Sequence, residues 1–495
     1  MGKKSLPLDA SGKALAIHLF SLNTPHMRAF HLSWLGFFSA FTAWFALNPL
    51  LKSTIAPDLG ITAGDVASSD IANVGSTIFF RLAVGFVTDK VGPRNAMAAI
   101  LIGGAIPLVL TGLVRNLSGL LAVRAFVGLL GATFVPCQYW TTAFFAKKIV
   151  GTANAVVGGW GNMGGGATFL IMPHVYNGIR RTGLSVHDAW RVSLVVPTAI
   201  CLIVAGLVFF IGTDGPEATL PVAASLDSDS DDEVVVNADG STSFMIKEDR
   251  KKDASAATLH EVNTVSVPPA KTLTFKEKAM PLVKALATPT IIVMMFQYAC
   301  SFGVEISVDS QIGHYLQSHF KGSLDQTMAG NIGSVFGMMN LFSRASGGML
   351  SDFFQRKFGI KGRIAIQTFL LAANGCALLA FSYLEALGPA VAAMVFFSYF
   401  CQAACGSTFG IVPYIAQGGM GAASGLVGAG GTLGGFVFNI VFKKYIDTPN
   451  MGFRVMAVTV LVSAVCSAIV NVRGVYVWGK KNLRHGEDGE SVIIS

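Results

Sequence analysis

The chain has 495 residues and a formal net charge of +8, with 52% hydrophobic and only 13% charged residues. So low a charge content excludes a string of soluble domains, and basic residues scattered through short connections argue against nucleic acid as a partner. Apolar runs of about twenty residues recur through both halves, each long enough to cross a ~30 Å hydrocarbon core as a helix, so the chain reads as an all-α polytopic membrane protein.

In chain order, residues 1–31 form a polar-to-amphipathic lead-in expected at the cytoplasmic interface. Its start, Met1-Gly2-Lys3-Lys4-Ser5-Leu6-Pro7, lacks the apolar region of a cleaved signal peptide and matches the myristoylation pattern poorly. Spans follow near 32–51, 71–88, 97–114, 120–145, 150–172 and 192–212, with Asp58, Asp65 and Asp70 assigned to the connection between the first two. Composition then changes abruptly. Residues 213–287 carry an acidic tract around Asp227–Glu233, a mixed-charge tract around Lys247–Lys252 and Pro268-Pro269, and they read as a disordered cytoplasmic linker. Ser225, Ser228 and Ser230 in that tract look phosphorylatable, although a solvating acidic segment explains them as well. Six further spans, near 288–311, 328–351, 364–384, 391–415, 425–442 and 455–477, precede a polar tail at 478–495. The plan is therefore two six-helix bundles, 32–212 and 288–477, with about twelve transmembrane helices. A cytoplasmic N-terminus puts Lys90, Arg94, Lys147, Lys148, the linker, Arg356, Lys357, Lys361, Arg363 and both tails inside, and leaves Arg180, Arg181, Lys443 and Lys444 as exceptions.

The halves repeat one another. The fifth span carries Gly158-Gly159-Trp160-Gly161-Asn162-Met163-Gly164-Gly165-Gly166, and the eleventh carries Gly428-Ala429-Gly430-Gly431-Thr432-Leu433-Gly434-Gly435. Aligned on Gly151 and Gly421, the two share Gly158/Gly428, Gly161/Gly431, Gly164/Gly434 and Gly165/Gly435. Each glycine inside a helix costs about 0.5–1 kcal/mol relative to alanine, so a compensating close approach of another backbone is expected. Arg81, Gly85, Asp89 and Arg94 likewise recur as Arg344, Gly348, Asp352 and Lys357 at one constant interval. A parallel repeat of two six-helix halves is a transporter plan, with the substrate site between the halves near mid-membrane.

Arg81 and Arg344 are the sharpest chemical signal. An arginine at a helix centre costs about 2.5–3.5 kcal/mol on insertion scales, and its bland alternatives are snorkelling or pairing with a carboxylate. Two of them at equivalent repeat positions point instead to guanidiniums facing one another across a cavity, suited to a planar oxyanion. Around them Asn162 and Thr432 serve as neutral donors, and Gly161, Gly164, Gly165 and Gly431 provide the bare helix faces. Tyr139 and Phe409, in the related segments Gly131–Tyr139 and Gly406–Tyr414, are candidate lining, with ordinary helix packing as the alternative. Glu305 and Asp309 sit four apart on one helix face. A carboxylate there either carries a proton or makes a helix-to-helix bond. Asp89, Arg94 and Asp352 read as cytoplasmic gating latches. His174, His187, His314 and His319 fall near span ends and read as interfacial. The seven cysteines lie in apolar runs without metal-ligand spacing, so neither a metal, a cofactor nor a disulfide framework is expected. No nucleophile–base arrangement or phosphate loop suggests an enzyme.

These residues resemble the nitrate/nitrite porter family of the major facilitator superfamily. Pro25-His26-Met27-Arg28-Ala29-Phe30-His31-Leu32-Ser33-Trp34 is similar to the lead-in of eukaryotic members, residues 159–166 and 428–435 to the two nitrate signatures, and residues 402–409 to the tenth span. Thr432 departs from a pattern that usually has asparagine there. The resemblance implies the major facilitator fold, nitrate bound by Arg81 and Arg344, and nitrite as a second ligand. It also implies import with protons at the plasma membrane and, for some relatives, a small single-span accessory protein. An electroneutral nitrate/nitrite exchanger and a nitrate sensor with vestigial transport stay open beside proton symport.

Overall fold

A computed structural model describes residues 6–9, 11–216, 233–236, 242–245, 288–320, 324–415, 420–472, 474–476, 483–485 and 491–493. Among the described residues twelve helical segments cross the bundle. They are α1 (Pro25–Leu59), α2 (Ala63–Val91), α3 (Pro93–Leu113), α4 (Leu117–Phe144), α5 (Lys147–Arg180) and α6 (Val186–Ile211), then α7 (Pro289–His319), α8 (326–358), α9 (Ile360–Phe381), α10 (Leu387–Ile415), α11 (Met420–Lys444) and α12 (Pro449–Ile469). Most run several residues beyond the apolar stretches read from sequence, because helical hydrogen bonding continues past the hydrocarbon core.

Polar residues start these helices. Thr24 accepts from the Met27 N–H at the head of α1, and Thr62 with Asp65 forms a reciprocal capping box on α2. Asn116, Ser185 and Asp325 cap α4, α6 and α8. The tight turns from α2 to α3 and from α8 to α9 each place a glycine at positive φ, Gly92 at 82° and Gly359 at 64°.

The packing repeats as the sequence does. Within the first half α1 packs on α5, α2 on α4 and α3 on α6; within the second, α7 packs on α11, α8 on α10 and α9 on α12. Across the halves α5 meets α8 and α2 meets α11, two contacts that the repeat exchanges. Ten of the twelve segments are long and apolar enough to cross a membrane by length and composition alone; α5 and α8 are not among them. Those two are the glycine-rich and polar helices, and they pack on each other. At Gly166 and Gly337 their backbones touch, since a Cβ on Gly166 would lie 2.6 Å from the Gly337 Cα.

Several crossings depart from α-helical geometry, four of them near the interface between the halves. α1 widens to a π turn at Leu51–Ile55, α4 tightens to a 3-10 turn at Gly128–Thr133, α7 breaks at Cys300–Ser301 and α8 tightens at Met339–Leu341. Irregular backbone at membrane depth survives only where protein or a polar cavity satisfies it. The last three flank Arg81 and Arg344.

The lead-in is tied down at the end of the bundle that carries Lys90, Arg94 and Arg356, hereafter the basic end. Ala14 exchanges backbone hydrogen bonds with Phe144 and Ala146, and His26 Nε2 contacts the Gly12 carbonyl at 2.7 Å. In the 213–287 segment, β1 (Glu233–Val236) pairs antiparallel with β2 (Thr242–Met245). The remainder of that segment beyond residue 216, including the serines at 225, 228 and 230, lies outside the described residues. Residues 471–476, read from the sequence as the end of the twelfth span, form a short antiparallel pair instead, β3 (Asn471–Val472) with β4 (Val475–Tyr476), and the tail adds another, β5 (Leu483–His485) with β6 (Ser491–Ile493).

Candidate functional site

Two arginines are brought to one aromatic floor. The Arg81 guanidinium carbon lies 5.0 Å and that of Arg344 5.6 Å from the centroid of the Phe302 ring, which stacks on Tyr298 at 5.2 Å. Phe134 lies 5.1 Å from the Arg81 guanidinium carbon, and Phe409 meets both Tyr298 and Phe134 edge or tilted. Such cation–π contacts contribute about 2 kcal/mol or more each when desolvated. Both arginines are buried, at 4% and 2% exposure.

Their hydrogen bonding differs. Arg81 donates through Nε to the Gly131 carbonyl at 3.0 Å, in the 3-10 turn of α4, and through Nη1 to the Gly428 carbonyl at 3.1 Å, across on α11. Its Nη2 is buried without a partner. Arg344 donates through Nη2 to Glu305 at 2.6 Å, through Nε to Asn340 at 3.4 Å and through Nη1 to the Tyr298 hydroxyl at 3.5 Å. Asn340 also donates to the other Glu305 oxygen at 2.6 Å. The breaks in α7 and α8 place Glu305 and Asn340 so that one carboxylate holds both. With Glu305 ionised the three charged groups sum to a single positive charge. A buried, forked, unsatisfied donor beside a displaceable counter-ion can receive one small anion.

Several of the residues singled out from the sequence come together in this cluster. Phe409 is there, and its repeat mate Phe134 opposes it. Gly431 seats the floor, because a Cβ on it would come within 2.5 Å of Tyr298 and 2.8 Å of Phe302. Asn162 and Thr432 are buried, and both bond back to the carbonyl four residues earlier on their own helices, Gly158 at 2.9 Å and Gly428 at 3.4 Å. Thr432 therefore shares its acceptor with Arg81. The Asn162 Oδ1 stays buried and unpartnered.

Others lie elsewhere. Gly161 abuts the Phe37 ring and Gly164 the Phe38 carbonyl, so these two let α1 approach α5. The glycines that face Arg344 are Gly158 and Gly159, one turn earlier; a Cβ on Gly159 would stand 2.6 Å from the Asn340 carbonyl and 3.1 Å from the Arg344 Cβ. Tyr139 is 45% exposed and forms none of the contacts of the aromatic floor. Asp309 is buried between Gly165 and Gly337, where a Cβ on Gly165 would lie 3.0 Å from its Oδ2, and it bonds to neither arginine.

Of the latches, Asp352 accepts from Arg363 at 2.6 Å and from Thr152 at 3.1 Å, joining α8 to α9 and, across the halves, to the start of α5. Arg94 pairs with Asp214 at 3.6 Å at the end of α6, and Asp89 is exposed without an equivalent bond. Among the histidines, His174 contacts Asn331 at 3.2 Å, His187 pairs with Asp58 at 3.0 Å and His319 stacks on Tyr315. All seven cysteines are free thiols.

One charged pair was not visible in the sequence. Asp70, read there as loop, lies buried in α2 and pairs at 2.5 Å with Arg124 of α4, which also donates to Ser69 and Asn48. The Gln311 amide of α7 lies 3.5 Å from both Asp70 and Asn439 of α11, linking this pair to the other half. The only signal for it was an arginine, Arg124, inside an otherwise apolar span.

The Major Facilitator Superfamily model matches residues 33–439. "High affinity nitrate transporter 2.5" of Arabidopsis thaliana is 35% identical over 465 residues, which cover 94% of this chain and 82% of that protein. "Nitrate transporter 2.2" of Chlamydomonas reinhardtii is 35% identical, with 92% and 82% covered, and "Nitrate/nitrite transporter NrtP" of Nostoc punctiforme is 26% identical, with 90% and 92% covered. Among solved structures, an inward-facing, unoccupied bacterial homologue of the human lysosomal transporter Spinster aligns with a TM-score of 0.60 at 14% identity, covering 90% of this chain and 96% of that one. That likeness speaks to the fold.

Proposed function

The chain belongs to the Major Facilitator Superfamily and, within it, to the nitrate/nitrite porters, and from that premise we propose that it carries nitrate across the membrane by alternating access. Nitrite is the second substrate and protons are the coupling ion. The observation that carries this reading is the buried pair of repeat-related arginines, one with an unpartnered Nη2 and the other held by Glu305. A planar oxyanion takes parallel N–H donors from a guanidinium, which a point charge does not offer.

Glu305 and the anion compete for Arg344. A proton arriving on Glu305 neutralises it and frees the guanidinium for the anion; loss of that proton restores the pair and displaces the anion. Binding of each then favours binding of the other, which is the thermodynamic content of symport. Asp309, one turn along α7 toward the opposite end, is the second carboxylate on the proton's route. Phe409, Asn162, Thr432 and Gly431 shape the site, and Asp352 latches the basic end. The basic end is cytoplasmic by the positive-inside rule, and the membrane is the plasma membrane.

The test is current in a voltage-clamped cell, with nitrate and then nitrite added outside at acidic and neutral pH. With two protons per anion, one on Glu305 and one on Asp309, net positive charge moves inward, so an inward current larger at acidic pH, lost in Glu305→Gln, is expected. Absence of current with nitrate uptake accelerated by nitrite inside would overturn proton coupling in favour of electroneutral exchange. Silence in both assays would leave the sensor reading.

A further inference from the structure

At the end opposite the basic one, the π turn of α1 carries Lys52 into a polar cavity between the halves, shared with Asn48, Ser53, Phe169, His314 and Gln317. No carboxylate lines it. The Lys52 ammonium forms no hydrogen bond or ion pair with any described residue. The carboxylate that acts on it, Asp70, is already taken by Arg124 at 2.5 Å, and His314 is the other titratable group facing it. Asn48 spends its Oδ1 on Arg124, which leaves its Nδ2 buried without an acceptor.

The acceptors around the cavity are spent on closing it. Ser53 donates to the Gln317 Oε1 at 2.7 Å, Thr54 donates to the Gln326 Oε1 at 3.0 Å, and the Gln326 amide donates to the Pro49 carbonyl at 2.8 Å. Lys52 and Asn48 both line the cavity, the one with an ammonium bound to no described residue, the other with a buried amide N–H that has no acceptor. A buried amide N–H left unmatched costs about 1–3 kcal/mol, and an anion that accepts from it removes that cost. We propose that this cavity is a second anion site, a vestibule where a small monovalent oxyanion rests on Lys52 and Asn48 before passing to Arg81 and Arg344.

The proposal deepens the transport reading and rests on it, because it places the cavity on the entry side. A cation at the mouth raises local anion concentration and capture rate without touching the later steps. Lys52→Gln is therefore expected to raise the external half-saturation concentration for nitrate about threefold to tenfold with the maximal rate unchanged, an effect that shrinks at high ionic strength. Lys52→Arg is expected to restore it. An unchanged half-saturation in Lys52→Gln overturns the proposal, and so does a fall in maximal rate alone, which would assign Lys52 to gate movement. Calorimetric titration of the purified protein with sodium nitrate separates this from the transport reading. In an Arg81→Gln background, residual weak binding abolished by adding Lys52→Gln supports the vestibule even if uptake fails in the parent protein; absence of any Lys52-dependent binding overturns it.

Discussion

Replacing Arg81 by lysine preserves charge and removes geometry, so it isolates what the guanidinium does. Arg81 spends Nε and Nη1 on two carbonyls 3.0 and 3.1 Å away, on opposite halves of the molecule, and keeps Nη2 for the ligand. A single ammonium on a different stem cannot reach both carbonyls and the anion together. Loss of one hydrogen bond to a charged group amounts to about 1.5–3 kcal/mol, which is a tenfold to hundredfold weakening of anion binding. If the lysine turns to the anion instead, the Gly131 or Gly428 carbonyl is left without its donor in a dry site, at a similar cost. Either way nitrate uptake at micromolar external concentration should fall below detection in Arg81→Lys, with surface expression unchanged. Labelled-nitrate uptake measured over a wide concentration range is the assay. Parental half-saturation and rate in Arg81→Lys would refute the argument from guanidinium geometry.

Gly431→Ala puts a Cβ 2.5 Å from the Tyr298 ring, and overpacking of that kind costs about 1–3 kcal/mol; a lower melting temperature together with weakened nitrate binding is expected in a thermal-shift titration. Asp70→Asn strands the Arg124 charge inside the first half, and breaking a buried pair costs about 3–5 kcal/mol. Its melting temperature should fall sharply, and the double replacement Asp70→Leu with Arg124→Met should recover most of the loss. Asp352→Asn weakens the bonds from Arg363 and Thr152 that join α8, α9 and α5 at the basic end. Hydrogen exchange in the first turns of α5 should rise, and unchanged protection would remove Asp352 from the latch.

The glycine helices and the two arginines were legible because the sequence repeats them, and a repeat can be read without knowing what faces what. Facing is where the reading slipped. Gly161 and Gly164 were expected at the substrate, yet they serve α1, and Gly158 and Gly159 lie beside Arg344. Tyr139 was named from the likeness of Gly131–Tyr139 to Gly406–Tyr414, which says nothing of the helix type between them. The 3-10 turn at Gly128–Thr133 advances the helix by three residues per turn in place of 3.6, which over six residues shifts the face by about 120°.

Charge pairing was less legible still. Glu305 was singled out for sharing a helix face with Asp309 and Arg344 for its repeat, but nothing in the chain joins residues 39 apart into one ion pair; the breaks in α7 and α8 do that. Asp70 and Arg124 are 54 apart and meet because α2 packs on α4.

The sequence by itself determined the membrane class, the two halves, their relation and the helices that lie between them, because hydropathy and repetition run along one dimension and survive without contacts. Tertiary structure alone decided which donors are already spent. Hydrogen bonding depends on which helix faces meet, and that decision left Arg81 Nη2 and Asn48 Nδ2 without partners while Arg124 and Arg344 were given theirs.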